Sequence, residues 1–526
     1  MPLPHLPMPT AYPSVVAMLD RTADAFPDRP AVIFGDDTLS YKALRACVAG
    51  LSAMLANHGA RGCRVATCLP NSLLACIAPY AIAAAHAQHV PLNPQYTARE
   101  LHYMLADASP RLLLVDDAVY AKLPALLEQL PGCQVLRASE LLARVQDWRG
   151  DTGIQTLAAL YPAPDELAML QYTGGSSGFP KGVNLTHQAI NSNIAQREAL
   201  LPVARGTETV LCAMPLFHSY AMAMGLYLCG YSGSTLVVLP AYHPARVLEA
   251  IAQQHISIFP GSPTIFSGLM AHPAFADCDW RRVHTCYSGS APLSAETMER
   301  WQSATGSSIF EGYGQTEAGP ILTFNSPLAP VKIGSVGFPV PDTRVEIVDV
   351  ERGHAVLPPG DIGEVRAQGP QVMRGYHNLP LDTAAALRDG WLYTGDIGEF
   401  DDEGYLYIRD RKKDLVIVGG YNVYPREVEE VLFTHPKVMD TAVVGQPDDY
   451  RGEILRAFVV MRPGQLFDLN ELVQFCKANL APYKVPTQID CLEALPKTSV
   501  NKTDKKVLKA AAPTSRQGRQ TGQTRS

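Results

Sequence analysis

No Cys-x-x-Cys pair and no other metal-ligand spacing appears among the eleven cysteines, which are odd in number and scattered from Cys47 to Cys491. In a chain of 526 residues that pattern points to reduced thiols in a cytoplasmic compartment. No basic segment followed by an apolar one opens the chain, so no secretory signal is expected. Long apolar runs are scarce as well. The most apolar stretch, Leu73 to Val90, is rich in alanine but carries Pro79, His86, Gln88 and His89. A membrane span needs ~20 strongly apolar residues, so this stretch reads as a buried helix and no transmembrane segment is expected. An excess of positive charge is missing too. The 44 Lys and Arg against 51 Asp and Glu leave a net charge of -7, which argues against a nucleic-acid partner. There is no internal repeat. The polar tail from Ala511 to Ser526 has no aromatic or β-branched apolar residue and is expected to be disordered.

What is present is an ordinary globular composition, 47% hydrophobic and 18% charged, in a chain long enough for two or more domains. Val15, Val16, Leu19, Ala23 and Phe26 recur at helical spacing, and Ala31 to Phe34 after Pro30 reads as a strand. Ser40 is placed to cap a helix carrying Leu44, Val48, Leu51 and Leu55. Arg64 to Leu69 reads as a strand, with Asn71 as the cap of the alanine-rich helix after it. This alternation runs to about Phe310 and predicts an α/β fold with largely parallel sheets. From Val331 to Ile408 short runs such as Arg344 to Val348 and Gly363 to Ala367, separated by turn signals, predict a small antiparallel β unit. After the charged run Arg409 to Asp414 comes a compact α+β pattern. We therefore expect an N-terminal domain over 1–408 with the β unit at 331–408, a hinge at 409–414, a C-terminal domain over 415–510 and a tail over 511–526.

The segment Gln171-Tyr172-Thr173-Gly174-Gly175-Ser176-Ser177-Gly178-Phe179-Pro180-Lys181-Gly182 follows the apolar run Leu167 to Leu170. Glycines let consecutive backbone N–H groups turn inward, Ser176 and Ser177 add hydroxyl donors, and Lys181 adds a positive charge. Such a loop can cradle a polyphosphate. It is not a Walker loop, because Gly178 is followed by Phe-Pro and not by Lys-Ser/Thr. Read alone, it is equally a Gly/Ser surface turn.

The rest of the chain decides between these. Gly174 to Lys181 resembles the phosphate loop of the adenylate-forming superfamily of acyl-CoA synthetases, aryl-CoA ligases, adenylation domains and luciferases. Other motifs follow in the order of that family: Pro215-Leu216-Phe217-His218, Ser288-Gly289-Ser290-Ala291-Pro292-Leu293 and Glu311-Gly312-Tyr313-Gly314-Gln315-Thr316-Glu317. Next come Gly363-Glu364-Val365 with Gly375-Tyr376, and Trp391-Leu392-Tyr393-Thr394-Gly395-Asp396. Asp410-Arg411-Lys412-Lys413-Asp414, Gly419-Gly420-Tyr421-Asn422-Val423-Tyr424-Pro425 and Leu495-Pro496-Lys497-Thr498-Ser499-Val500-Asn501-Lys502 complete the series. The resemblance spans about residues 15 to 509. It implies a large domain of two stacked αβα layers plus a small β-barrel-like unit, and a small mobile α+β C-terminal domain. It also implies ATP and CoA as co-substrates and Mg²⁺ as cofactor.

Each motif has a physical reason. Thr173 to Gly178 with Lys181 would hold the phosphates. Glu317 supplies a hard oxygen for Mg²⁺ on those phosphates, and Thr316 a hydroxyl beside it. Tyr313 offers a flat face to adenine. Asp396 can accept both ribose hydroxyls, and Arg411 donates to ribose and phosphate. The resemblance extends the AMP site to Ser288, Gly289, Ser290, Ala291, Glu311, Gly312 and Ile408. Lys502 is the expected catalytic cation, because attack of a carboxylate on the α-phosphate brings negative groups together. Asn501 precedes it where the family usually has Gly; Asn tolerates left-handed backbone better than most residues. In the family the small domain rotates about the residue matching Lys413. Gly419, Gly420 and Tyr421 would then line the CoA channel, although two glycines there also read as a hairpin turn. His218 joins the catalytic set as a gate between acyl and thiol sites.

For the acid, the resemblance implies a pocket at Ala221, Met222, Gly225 and Gly314, on an apolar stretch that reads equally as helix core. His218 stands where amino-acid-specific members carry an ammonium-binding Asp, which argues against an amino acid. Gly174-Gly175 in place of Ser-Gly resembles bacterial fatty acid:CoA ligases, so a medium- or long-chain fatty acid is expected. An aryl or cinnamate-like acid, an acyl carrier protein as acceptor and a non-catalytic adenylate binder stay open, as does a homodimer.

Overall fold

The computed structural model describes residues 6–123, 128–130, 132–151, 153–173, 180–419, 421–448, 450–498 and 503–511. The chain divides into two compact units, Met1–Ile408 and Arg409–Ser526.

The large unit is built on two sheets whose centres are parallel, as strand–helix alternation requires. In the first, Ser308–Tyr313, Thr285–Ser288, Ile258–Gly261, Thr209–Cys212, Thr235–Val238 and Pro30–Phe34 lie side by side and parallel. Short antiparallel strands extend both edges, Asp37–Ser40 at one and Thr323–Phe324 at the other. In the second, Leu167–Thr173, Gln88–Pro91, Arg64–Cys68, Leu112–Val115 and Gln134–Arg137 are parallel. Lys181–Thr186 and then Gly375–Tyr376 join the Leu167 edge antiparallel. A third sheet, antiparallel, joins Arg344–Val348, Gly363–Gln368 and Trp391–Phe400, with Leu387–Arg388 beyond.

The apolar stretch at Leu73 is not one helix. It splits into the helix Leu73–Ala84 and the strand Gln88–Pro91, because His86 takes a left-handed turn at φ 54°. The helix is buried on every side and touches strands of both large sheets, which is why it lacks a polar face. Its cap is Ser72, whose side chain accepts from Ala75 N, and not Asn71. Asn71 is instead buried, donating to the carbonyls of Met214 and Leu239 at 3.0 and 2.9 Å and accepting from Leu216 N at 2.8 Å. It thereby fixes the turn that carries Pro215 to His218.

A second buried helix, His187–Leu200, is polar on the inside. Asn193 grips Ile321 through both backbone groups, at 2.8 and 2.9 Å, and Gln196 donates to Pro341 O at 2.8 Å. These bonds anchor the irregular chain that follows Glu317. A buried amide left unpaired would cost about 1–3 kcal/mol, so the loop is held where these partners are.

In the small unit a sheet ordered Tyr421–Val423, Val416–Val418, Gly452–Met461, Val438–Asp448 carries Gln488–Cys491 parallel on Gly452–Met461. Its core of Val418, Val423, Val428, Leu432, Val443 and Leu455 is separate from that of the large unit. The helix Pro425–Phe433 starts with Pro at a first-turn position, where the missing N–H costs nothing.

Candidate active site

The strands Leu167–Thr173 and Lys181–Thr186 pair antiparallel with Thr173 opposite Lys181, and the Thr173 hydroxyl reaches the Lys181 carbonyl at 3.5 Å. The loop they connect, with Gly174, Gly175, Ser176, Ser177 and Gly178, lies outside the described residues. Its lysine does not. Lys181 Nζ donates to Asp382 and sits 5.0 Å from the ring centroid of Tyr376. Tyr376 is carried there by the short strand that pairs with Lys181–Thr186, and its hydroxyl donates to Glu317 Oε1 at 2.9 Å. Lys181 and Glu317 thus meet across one tyrosine, although the chain separates them by more than a hundred residues. Glu317 is 9% exposed, and its carbonyl accepts from Met373 N at 2.9 Å.

Sequence reading assigned no role to Tyr376 or Asp382. The Gly-Tyr pair was the available signal for the first; nothing local marks the second. In this state the ammonium of Lys181 is neutralised by Asp382, so engaging a phosphate means exchanging one anion for another.

A second cluster forms where the first sheet meets the antiparallel one. The strands Thr285–Ser288 and Ser308–Tyr313 are parallel with Ser288 opposite Glu311, which puts both residues at carboxyl ends of strands. Ligands of open parallel sheets bind at that edge. Glu311 is 2% exposed and accepts from Leu293 N at 3.0 Å, holding the turn through Gly289, Ser290 and Ala291. Ser290 is left-handed there, φ 71°. Tyr313 donates through its hydroxyl to Asp396 Oδ2 at 2.6 Å, and Asp396, 2% exposed, is also fixed by its N–H on Thr394 Oγ1 at 3.1 Å. Tyr313 and Ile408 pack against the same cluster of Val336, Ile347, Val365 and Leu406. Gly312 admits no side chain, since a Cβ would overlap the Phe324 ring.

His218 and Thr316 are joined through a residue that the sequence did not single out. Ser219 Oγ lies 3.3 Å from Thr316 Oγ1. His218 Nδ1 accepts from Tyr220 N at 3.3 Å, so that nitrogen caps the short helix Ser219–Ala221. Met222 and Gly225 lie on the π-helical turn Met222–Tyr227, a form that recurs at functional sites. Ala221 and Met222 are buried, and a Cβ on Gly225 would come to 3.5 Å from Leu236 and 3.6 Å from Cys212 Sγ. That face of the turn packs on the sheet. Gly314 has a different reason: a Cβ there would overlap the Pro320 carbonyl. Tyr220 was also missed. Its ring is within 3.2 Å of a Cβ placed on Gly289, and its hydroxyl, like that of Ser288, is buried with no hydrogen-bond partner among the described residues. Burial drives the Tyr220 pKa upward.

In the small unit Arg411 ends the strand Leu406–Arg411, and Lys413 lies in the turn Lys412–Asp414. Gly419 follows the strand Val416–Val418 at φ 58°, and Val418 is opposite Tyr421 of the antiparallel strand Tyr421–Val423. Tyr421 is 59% exposed and stacks on Tyr483 with centroids 4.6 Å apart. Gly420, Asn501 and Lys502 lie outside the described residues, as does the tail from residue 512.

No cluster of three or more His, Cys, Asp or Glu able to hold a metal occurs among the described residues. A lone buried carboxylate beside phosphate donors is nonetheless the usual protein share of a nucleotide-bound Mg²⁺ site, and Glu317 fits it. A hollow of about 770 Å³ lies at the amino ends of the second sheet beside Arg64, Gln88 and Arg111 and contains none of the predicted residues. All eleven cysteines are free, and no helix among the described residues is long and apolar enough to cross a membrane.

Residues 19–377 match the AMP-binding enzyme family, and residues 427–502 match the AMP-binding enzyme C-terminal domain. The chain is 37% identical to a long-chain-fatty-acid–CoA ligase of Bacillus subtilis over 95% of its length and 94% of that protein. It is 35% identical to a feruloyl-CoA synthase of Amycolatopsis over 92% of its length and 96% of that protein. The crystal structure of an anthranilate CoA ligase with anthranoyl-AMP superposes with a TM-score of 0.87 at 25% identity, covering 96% of this chain and 97% of that one.

Proposed function

The chain belongs to the AMP-binding enzyme family, and from that premise we propose that it joins a medium- or long-chain fatty acid to CoA through an acyl-AMP. The acid's carboxylate attacks the α-phosphorus of ATP, the bond to the β-phosphate oxygen breaks, and pyrophosphate leaves. The CoA thiol, losing its proton, then attacks the acyl carbon and AMP departs. The observation that carries the nucleotide half is the convergence of Lys181, Tyr376 and Glu317.

Lys181 offers the phosphates a positive charge once it parts from Asp382. Glu317 would hold Mg²⁺ with ATP oxygens; the ion, when bound, draws charge from the phosphates. Thr316 adds a hydroxyl beside it. Tyr313 orients Asp396 so that its other oxygen faces a ribose, while Tyr313 itself flanks adenine. Arg411 donates to the same nucleotide. Lys502 supplies the cation between carboxylate and α-phosphate, and Lys413 is the pivot about which the small unit turns between half-reactions. Gly419, Gly420 and Tyr421 line the path of the thiol, and His218 separates it from the acyl group. The acid's tail lies along Ala221, Met222, Gly225 and Gly314, with Tyr220 at its wall.

A second reading, an aryl acid, is favoured by the likeness to feruloyl-CoA synthase. Thioester formation from ATP, CoA and a panel of C6 to C18 fatty acids and cinnamic acids separates the two. Highest kcat/KM on a C8 to C18 acid is expected; highest kcat/KM on a cinnamic acid would replace the fatty acid with the second reading. Loading of a carrier protein in place of CoA would move the acceptor, not the adenylation. We further place the protein in the cytoplasm.

A further inference from the structure

The small unit contains a network of lysines and carboxylates to which the scheme above gives no task. Lys497 and Thr503 form an isolated antiparallel bridge. Lys497 Nζ donates to Thr503 Oγ1 at 3.0 Å and to Asp440 Oδ2 at 3.1 Å, and Asp504 N donates to Pro496 O at 2.8 Å. Both described ends of the segment that contains Lys502 are therefore clamped to each other and to the strand Val438–Asp448.

The chain then enters the helix Lys505–Ala510, capped by Asp504, whose Oδ1 accepts from Lys506 N and Val507 N at 3.0 and 3.3 Å. Six residues cannot hold a helix alone in water. Three contacts hold this one. Leu508 is buried with Val444, Phe458 and Leu495. Lys509 pairs with Asp414 Oδ1 at 3.2 Å. Lys505 pairs with Glu429 Oε1 at 2.7 Å, and that oxygen also accepts from Val443 N at 2.7 Å.

Asp410 lies close to Lys505 and is itself held by the N–H groups of Arg411 and Arg426 at 2.7 and 2.9 Å. Burial pushes its carboxyl pKa up, against the pull of Lys505. Burial also works against the charge of Lys505, but Glu429 and then Asp410 outweigh it and the net shift is upward. An ion pair removed from water adds little net stability over an apolar pair, yet it fixes register, and breaking it strands a charge. Apolar packing of Leu508 alone would let the helix roll; the Lys505 and Lys509 contacts fix its rotation and tie it to the segment Asp410–Asp414.

We propose that Lys505, with Lys497, is a positioning residue for Lys502: through Glu429 and Asp440 the two lysines fix the described chain on either side of it against the strand Val438–Asp448. The proposal rests on the adenylating role given to Lys502 above. Misplacement of a reacting group by about 1 Å costs on the order of 100-fold in rate, so loss of the tether should fall on the half-reaction that uses Lys502.

The test uses the full-length enzyme with a saturating fatty acid. Acid-dependent exchange of pyrophosphate into ATP measures adenylation, and acyl-CoA formed from synthetic acyl-AMP measures transfer. For Lys505→Met we expect exchange kcat to fall ~10- to 100-fold with KM for ATP nearly unchanged, transfer to stay within about twofold, and Lys505→Arg to restore exchange. Equal loss of both half-reactions, no loss of either, or no recovery in Lys505→Arg would overturn the proposal. Should Lys505→Met fail to fold, Lys497→Met, at a more exposed site, must give the same selective loss or the proposal falls. Lys502→Ala is run alongside. If it leaves exchange intact, the reading of Lys502 is wrong; if it abolishes exchange while Lys505→Met does not, only the positioning role is lost.

Discussion

In the large unit Glu317 and Asp396, assigned to the metal and the ribose, are 9% and 2% exposed, and each is met by one tyrosine hydroxyl: Tyr376 on Glu317, Tyr313 on Asp396. In the small unit Gly419 is left-handed and Tyr421, on the three-residue strand Tyr421–Val423, is 59% exposed. The first arrangement fixes charge before the substrate arrives, which is where electrostatic catalysis gains most. The second is a small frame steadied by ion pairs such as Lys505–Glu429 and Lys509–Asp414. Rate should therefore be lost in both half-reactions from damage to the first region, and in one from damage to the second.

The largest effect that would test this contrast is in the small unit. Lys502→Ala should lower adenylation by about 10²- to 10³-fold while leaving transfer from acyl-AMP nearly intact, as single-turnover assays of each step would record. Comparable loss in both would erase the contrast. Next, Glu317→Gln should cost about 10- to 100-fold in adenylation and raise the Mg²⁺ concentration needed for half-maximal rate, with Tyr376→Phe costing only a few-fold. A Tyr376→Phe effect as large as that of Glu317→Gln would show that the tyrosine, not the carboxylate, is the working group. Third, Asp396→Asn should raise KM for ATP about tenfold with less change in kcat; a fall in kcat at constant KM would remove Asp396 from nucleotide binding.

The smallest effect concerns the frame. His187 is buried, and burial holds its pKa down at about 4, against the opposing pull of Glu166. Its folded pKa lies below the unfolded value near 6.5, so the unfolded chain takes up the proton first as pH falls. The contribution is full above about pH 6.5 and is lost as pH drops toward 4. In His187→Asn the loss of melting temperature between pH 7 and pH 5 should shrink by ~2–4 °C; an unchanged acid limb would assign it to other groups.

Local pattern made much of the fold legible. Ser40 does cap Tyr41–Asn57, and Pro425 does open its helix, because caps and first turns depend on neighbours in sequence. Asn71 misled for the same reason in reverse. An Asn before an apolar helix satisfies the local rule, but the buried carbonyls of Met214 and Leu239 are stronger claimants for its amide. Leu73 to Val90 misled because a buried helix and a buried parallel strand are both apolar on all sides, so periodicity does not mark where one stops. Gly225 and Gly314 show what no local rule foretells: a Cβ on the first would touch Leu236 and Cys212, and one on the second would overlap the Pro320 carbonyl.

The sequence by itself determined the α/β class, the family of the chain and the types of residue available for phosphate and nucleotide chemistry, since motifs are runs of neighbours that must share a strand end or a turn. Only the tertiary structure decided how those residues are paired. Lys181 with Asp382 spans 201 residues, Tyr313 with Asp396 spans 83, and Tyr376 with Glu317 spans 59. Nothing in a linear pattern encodes such partners, because each joins segments that only strand pairing and the packing of one sheet on another bring together.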